Sequence, residues 1–194
     1  MSTYQDPGWG GAIRRAPIML IPFAGFFLLQ GRRDRGPDGL TRLRAVFLGY
    51  LGVLVFFLAF IWLVVAGEDP KRTPAWLPVG LAGYGAFCLL MTRWARNRRL
   101  DTSSPGALAG SYRSSFFVGA AFALAIWFAG FVGAYLIVSP WPYLVGMTIS
   151  VIVLALIAPT RADIERRQHQ IAAAGSSLSL GEALVGHPSP AGRS

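Results

Sequence analysis

The chain has 194 residues, of which 54% are hydrophobic and 14% are charged, and its mean hydropathy is +0.49. Soluble domains carry about 25% charged residues, so this composition excludes an ordinary water-soluble globular fold. The formal net charge is +9, and of the 18 Lys and Arg residues only Lys71 is a lysine. The arginines cluster at the ends of apolar runs, which favours anionic lipid headgroups over nucleic acid as their partners.

Residues 1–41 are predicted to form a cytoplasmic region with one apolar stretch. That stretch, residues 16–29, contains Pro17, Pro22 and Gly25. It is shorter than the about 20 apolar residues that a helix needs to cross a bilayer. No small-residue cleavage site follows it, so it does not resemble a signal peptide. We expect an interfacial or re-entrant segment, with a fifth span as the alternative.

Four apolar runs predict a four-helix membrane domain over residues 42–158. The predicted spans are residues 45–66, 75–92, 115–138 and 141–158. At about 1.5 Å per residue, each predicted helix crosses or nearly crosses the hydrocarbon core of a bilayer, which is about 30 Å thick. Because a backbone in lipid must satisfy its own hydrogen bonds, all four should be helices. The predicted fold class is an all-α integral membrane protein with its spans in two hairpins, joined by a Ser-rich loop over residues 101–111.

Arginines close to the spans predict the orientation. They stand before span one, between spans two and three, and after span four: Arg32, Arg33, Arg35, Arg42, Arg44, Arg93, Arg96, Arg98, Arg99, Arg113, Arg161, Arg166 and Arg167. The opposite loops hold only Lys71 and Arg72, offset by Glu68 and Asp69. By the positive-inside rule both termini are cytoplasmic. Arginine-rich usage with abundant Ala and Gly is typical of a GC-rich bacterial genome, so we expect the plasma membrane as the location.

The tail, residues 159–194, is predicted to contain a helix over residues 161–174 and then mostly disordered chain. Thr160 followed by Asp163 is a capping pattern, and Gly175 is a stop signal. Ser179 followed by Glu182 predicts a second, short helix at about residues 180–185. Beyond residue 186 the Pro, Gly and Ser content predicts disorder.

The four spans contain no Asp, Glu, Lys, Arg or His residue. Proton relays and ion-coupled transporters generally need an ionisable group at membrane depth, and an intramembrane hydrolase needs a base. Cys88 is the single cysteine and lies in span two, whereas His169 and His187 lie in the tail, so no metal-ligand pattern is present. We therefore expect no catalytic residues, no metal and no cofactor.

Span three carries small residues at strict four-residue spacing, namely Ala121, Ala125, Ala129 and Gly133. A small-xxx-small face lets another helix approach closely. The face could pack inside the chain's own four-helix bundle, or it could dock a partner protein or a second copy. Both interpretations remain open at this point.

Polar and aromatic side chains of the spans suggest two further features. Tyr84, Thr148 and Ser150 fall at similar depth near the middle of spans two and four, and could hydrogen-bond across the bundle. A structural role is favoured for this polar cluster, with a small-molecule site as the alternative. Trp141 and Tyr143 are predicted to lie at the outer interface, as part of an aromatic belt.

The densest charge run consists of Arg93, Arg96, Arg98 and Arg99. We interpret these arginines as topology determinants that contact anionic headgroups. The alternative is a binding surface for an acidic cytoplasmic partner or for phosphoinositide-like lipids.

The leading functional hypothesis is a non-catalytic accessory, scaffold or assembly subunit whose span-three face and cytoplasmic arginines contact a membrane protein partner or a second copy. The alternative is an oligomeric passive or lipid-linked transporter of an uncharged hydrophobic solute. A polar-lined pore would favour transport, whereas an exposed Ala/Gly face would favour the accessory subunit.

Overall fold

The computed structural model describes residues 6, 8–14, 39–65, 68–69 and 71–185, and their regular elements are all α-helices. The helices are α1 (Gly10–Ile13), α2 (Gly39–Val65), α3 (Trp76–Asn97), α4 (Pro105–Ile137), α5 (Trp141–Ile157), α6 (Arg161–Ala173) and α7 (Leu180–Val185). The apolar stretch 16–29 and the final residues 186–194 lie outside the described residues. The all-α class is therefore confirmed for the part of the chain that the structure describes.

Two helices, α2 and α4, are long and apolar enough to cross a membrane, and α5 with α6 forms a third candidate bent by 51°. The described helices thus support two or three spans, and the predicted four-span count is not confirmed. Helix α5 has 17 residues, or about 25 Å at 1.5 Å per residue, less than a core about 30 Å thick. Helix α3 carries Arg93 and Arg96 in its last turns, which shortens its apolar part.

The predicted loop over residues 101–111 is wrong in its second half, because α4 begins at Pro105. Proline suits a first helical turn, where its missing N–H would lack a partner anyway. The Ser104 hydroxyl accepts a hydrogen bond from the Ala107 N–H at 3.1 Å and so caps the helix. The serines of this stretch therefore mark the start of a helix, and α4 extends ten residues before the predicted span.

The described residues fall into two compact units. The first, which we call the polar unit, lies within Met1–Gly49, Arg99–Arg113 and Ala158–Ser194. The second, the apolar unit, lies within Tyr50–Arg98 and Ser114–Ile157.

In the apolar unit, α4 and α5 meet at a pair of glycines. A methyl group on Gly130 would lie 2.6 Å from the Pro142 carbonyl oxygen and 3.0 Å from the Gly146 Cα, and one on Gly146 would lie 2.9 Å from the Ile126 carbonyl oxygen. Helix α3 packs on α5 in a similar way, because a methyl group on Gly85 would lie 2.8 Å from Ile149 Cδ1. The core beside these contacts is apolar, and its buried members are Leu77, Leu81, Cys88, Ile126 and Ile137.

The polar unit contains the folded tail. Thr160 caps α6 by accepting a hydrogen bond from the Asp163 N–H at 3.2 Å, as the sequence pattern predicts. Gly175 ends the helix with φ +81°, and the Ser176 N–H returns to the Ile171 carbonyl oxygen at 3.2 Å, which are features of a Schellman motif. Both predicted tail helices are confirmed.

Helix α7 is docked within the polar unit. Leu180 and Leu184 are fully buried. The Gln168 side chain of α6 accepts a hydrogen bond from the Leu180 N–H at 2.7 Å and donates one to the Leu178 carbonyl oxygen at 2.9 Å. The tail therefore stays folded to Val185, where the second predicted helix ends.

Candidate functional site

The predicted small-residue face of α4 is only partly used by the packing of the apolar unit. Gly133 is buried, Ala129 and Ala125 are half-buried, and Ala121 is exposed. A methyl group on Gly133 would lie 3.1 Å from Pro142 Cβ, so this end of the face contacts α5. The structure therefore divides the predicted face into an internal end and an external end.

The close internal packing of α4 instead uses small residues that do not belong to that face. Gly130 lies against Gly146, and a methyl group on Gly119 would lie 2.7 Å from Ile157 Cγ2. Ala123 and Ala134 are fully buried on the same helix. The four-residue spacing predicted the small-residue stripe of α4 but did not include Gly146 on α5. A glycine within an apolar helix is nevertheless a recognised signal of close packing.

The external end of the face lies between two exposed aromatic rings. Phe117 is 47% exposed and Phe128 is 57% exposed. Ala121 follows Phe117 by four residues, and Phe128 follows Ala121 by seven, so all three lie along one stripe of the helix. We call Ala121 and Ala125, flanked by these rings, the alanine gap. Because a methyl side chain projects much less than a phenyl ring, the gap is a place where a second helix can approach α4 closely.

The three predicted mid-membrane polar residues have different environments and do not form one network. Thr148 donates a hydrogen bond to the Leu144 carbonyl oxygen of its own helix at 2.8 Å. Ser150 is buried, and its hydroxyl has no hydrogen-bond partner among the described residues. Tyr84 is 39% exposed and stacks against Phe87. The predicted bonding across the bundle is therefore wrong for Ser150, because equal depth does not bring side chains to facing sides of their helices.

A different polar contact joins three helices of the apolar unit. Trp127 of α4 donates its indole N–H to the Tyr143 hydroxyl at 2.9 Å, and that hydroxyl donates to the Leu54 carbonyl oxygen of α2. Tyr143 is fully buried, so its side chain packs inside the bundle and does not contact headgroups as the residues of an aromatic belt do. The Phe57 ring packs edge-on against Trp127 with centroids 5.1 Å apart. The hydroxyl is turned inward because both of its partners lie inside the bundle.

We expect Tyr143→Phe to destabilise the folded protein by about 1–2 kcal/mol, because Trp127 then loses its acceptor in an apolar environment. Unfolding by SDS in mixed micelles measures the change. Tyr135→Phe is the matched control, since Tyr135 on α4 is 63% exposed, and its effect should stay within about 0.5 kcal/mol. If both variants unfold at the same SDS fraction, this hydrogen-bonded contact does not stabilise the bundle.

The arginine run at the end of α3 is mainly exposed. Arg93, Arg98 and Arg99 are exposed, and Arg96 is half-buried and has an interaction partner. The Arg98 guanidinium lies 4.0 Å from the centroid of the exposed Trp94 ring, which is a cation–π geometry. Contact with lipid headgroups requires exposed side chains, and that contact remains a prediction.

A buried arginine in the polar unit is the strongest electrostatic feature that sequence reasoning missed. Arg44 is fully buried. Its Nη1 and Nη2 donate to the two carboxylate oxygens of Asp6 at 2.6 and 2.8 Å, and Nη1 also donates to the Gly8 carbonyl oxygen at 2.8 Å. Its Nε donates to the Pro159 carbonyl oxygen at 3.0 Å, and its guanidinium lies 5.0 Å from the Trp9 ring centroid. The hydrogen bonds from Arg44 hold the pKa of Asp6 below its ordinary value.

A second polar contact of the polar unit holds α6. The Tyr112 hydroxyl donates to the Asp163 carboxylate at 3.1 Å, and Arg166 pairs with the same carboxylate. Arg161 pairs with Glu165 on the exposed side of the helix. The sequence predicts charge interactions on α6, but the pairing of Asp163 with a residue of α4 depends on tertiary structure.

Comparison with known proteins assigns no function to these residues. Among the described residues, no group of three or more His, Cys, Asp or Glu side chains could hold a metal ion. No protein-family model, no curated protein and no solved structure matches the chain.

Proposed function

We propose that this chain is a non-catalytic accessory, scaffold or assembly subunit of the plasma membrane, and that it binds a transmembrane helix of a partner protein at the alanine gap. The observation that carries the proposal is the exposure of Ala121 next to the half-buried Ala125, between the exposed rings of Phe117 and Phe128. The glycine contacts that hold α4 against α5 use other residues, so the gap remains available to a partner.

The proposal includes four spans with both termini in the cytoplasm. The support for it is the distribution of arginines, which lie beside one set of helix ends, whereas the opposite loops carry Lys71 and Arg72 beside Glu68 and Asp69. Reporter fusions at the two termini and at residues 71 and 139 test this topology. A terminus found on the outer side would contradict it.

Photo-crosslinking tests the alanine gap directly. A photoreactive amino acid at position 121 should give a discrete protein adduct in native membranes, because the partner helix lies within reach there. The same residue at position 79 should not, since Val79 is 73% exposed on α3 and is expected to face lipid. Mass spectrometry of the adduct distinguishes a partner protein from a second copy of this chain.

A bulky side chain in the gap should abolish that adduct. Ala125→Leu is expected to reduce the crosslink from position 121 at least tenfold, because close approach of the helices requires small side chains. Ala82→Leu is the matched control, since Ala82 is an exposed alanine on α3. If position 121 gives no adduct, or if both leucine variants behave alike, the docking surface is not at the gap.

Transport of an uncharged hydrophobic solute is the second candidate, and an apolar groove is the feature that could hold such a solute, although it is not the polar-lined pore that would favour transport. The groove has a volume of about 590 Å³, and its lining residues are all apolar: Val55, Leu58, Ala59, Trp62, Leu63 and Leu144. Under this alternative, reconstituted protein should accelerate the transbilayer movement of a fluorescent lipid, and Ala59→Trp should block it while Ala82→Trp should not. Under the accessory proposal, these vesicles transport no faster than protein-free vesicles.

A further inference from the structure

The guanidinium of Arg44 is oriented by the protein independently of its carboxylate partner. Its Nε is bonded to the Pro159 carbonyl oxygen, which precedes α6 and is far along the chain from Asp6. Its two Nη atoms form a planar fork that holds both Asp6 oxygens. The same fork recognises the oxygens of a carboxylate or a phosphate. Removal of Asp6 would therefore leave a preformed site for an anion.

The segment that supplies Asp6 is short and partly exposed. Residues 6 and 8–14, which we call the N-terminal clasp, contain α1, a four-residue helix with no side-chain cap. Trp9 packs edge-on against Phe47 with centroids 5.9 Å apart, and Ala12 is buried, whereas Ile13 and Arg14 are exposed. Segments with few buried contacts open at low free-energy cost, so a competing anion can displace the clasp.

The charge around this site suits a phosphate. Arg44 holds the anion directly, and the exposed Arg161 adds a weaker electrostatic attraction for the Asp6 carboxylate. Arg44 also directly precedes Ala45, where the apolar run of α2 begins. Arginines at the ends of apolar runs lie at the depth of lipid headgroups.

We propose that Arg44 binds the phosphate of an anionic lipid headgroup, and that the Asp6 carboxylate fills this site as an internal ligand when no headgroup is bound. Lipid binding then releases the N-terminal clasp. The site is separate from the exposed arginines of α3, because Arg44 is buried and its anion is held by the two-atom fork. It is also independent of the alanine gap.

Hydrogen exchange of the wild-type protein in lipid nanodiscs is the first test. In discs containing phosphatidylglycerol, amides of residues 8–14 should exchange about tenfold faster than in pure phosphatidylcholine, in line with the loss of a hydrogen bond to a charged group. Amides of α7 should not change. A third sample, phosphatidylcholine discs with excess inorganic phosphate, separates the two sources of phosphate.

Acceleration with phosphatidylglycerol alone supports a lipid site, and acceleration with inorganic phosphate as well supports a phosphate site open to soluble ligands. Unchanged exchange in both samples overturns the proposal, and this test needs no variant to fold.

Native mass spectrometry with variants is the second test. Asp6→Asn keeps the shape of the side chain and removes its charge, so it should retain one more phosphatidylglycerol molecule than the wild type. The additional lipid should disappear in the double variant Asp6→Asn with Arg44→Gln. Glu68→Gln is the matched control, because Glu68 is an exposed carboxylate of the apolar unit, and it should not add this lipid. An additional lipid that persists without Arg44 overturns the assignment of the site.

Discussion

Replacing Gly146 by alanine is expected to destabilise the protein by about 1–3 kcal/mol, and replacing it by leucine is expected to cost more. The reason is that the new methyl group would lie 2.9 Å from the Ile126 carbonyl oxygen and 3.0 Å from the Gly130 Cα. Both are backbone atoms, so the clash cannot be relieved by a side-chain rotation. Helices α4 and α5 would have to move apart. The SDS fraction at which half the protein unfolds measures the loss.

Gly83→Ala is the matched control for Gly146→Ala, and it should change stability in the opposite direction. A methyl group on Gly83 meets no atom within 4 Å. Replacing a glycine inside a helix by alanine then stabilises the fold by about 0.5–1 kcal/mol. Equal effects of the two substitutions would contradict the assignment of Gly146 to the closest contact between α4 and α5.

Arg44→Met is expected to destabilise the polar unit by about 3 kcal/mol or more, because it leaves the Asp6 carboxylate and two carbonyl oxygens without their donor. Arg161→Gln is the control. The Arg161 and Glu165 side chains are 75% and 56% exposed, and such surface pairs contribute little to stability. The double variant Asp6→Asn with Arg44→Met should lose less stability than the sum of the losses of the two single variants. Thermal unfolding followed by circular dichroism compares these variants with the wild type, and purely additive losses of stability would contradict the pairing.

The same ion pair predicts how stability depends on pH. Arg44 lowers the pKa of Asp6 below its ordinary value of 3.8, so the folded state holds the ionised carboxylate more strongly than the unfolded chain does. The contribution of the pair is therefore complete above pH 3.8 and is lost as the pH falls through the lower pKa of the folded state. Unfolding curves of wild type and Asp6→Asn should converge at acidic pH. A constant difference at every pH would contradict this.

Local sequence signals predicted the helices well. Thr160 and Ser179 start the tail helices where their capping patterns place them, and Gly175 ends α6. The start of α4 was predicted ten residues late because its serines suggested a loop, although Ser104 followed by Pro105 is itself a helix-start signal. Caps act within three or four residues, so a single sequence contains their physical basis.

The candidate sites depended on contacts that no local pattern contains. Arg44 looks like the other arginines beside the spans, and its partners lie 38 residues before it and 115 residues after it. Tyr143 has the sequence position of an interfacial aromatic residue, but its hydroxyl reaches Leu54, 89 residues away. Whether such a side chain faces lipid, headgroups or the core depends on how each helix is rotated against its neighbours.

By itself, the sequence determined the all-α apolar character of this protein, the approximate limits of α3, α5, α6 and α7 and the small-residue stripe of α4. These properties follow from the length of apolar runs, from caps and from four-residue spacing, which are local. Only the tertiary structure decided that Gly130 meets Gly146, that Ala121 stays exposed and that Arg44 is buried against Asp6. The physical reason is that helix rotation and long-range pairing minimise the free energy of the whole chain, because buried polar groups need partners and close-packed helices need matching surfaces.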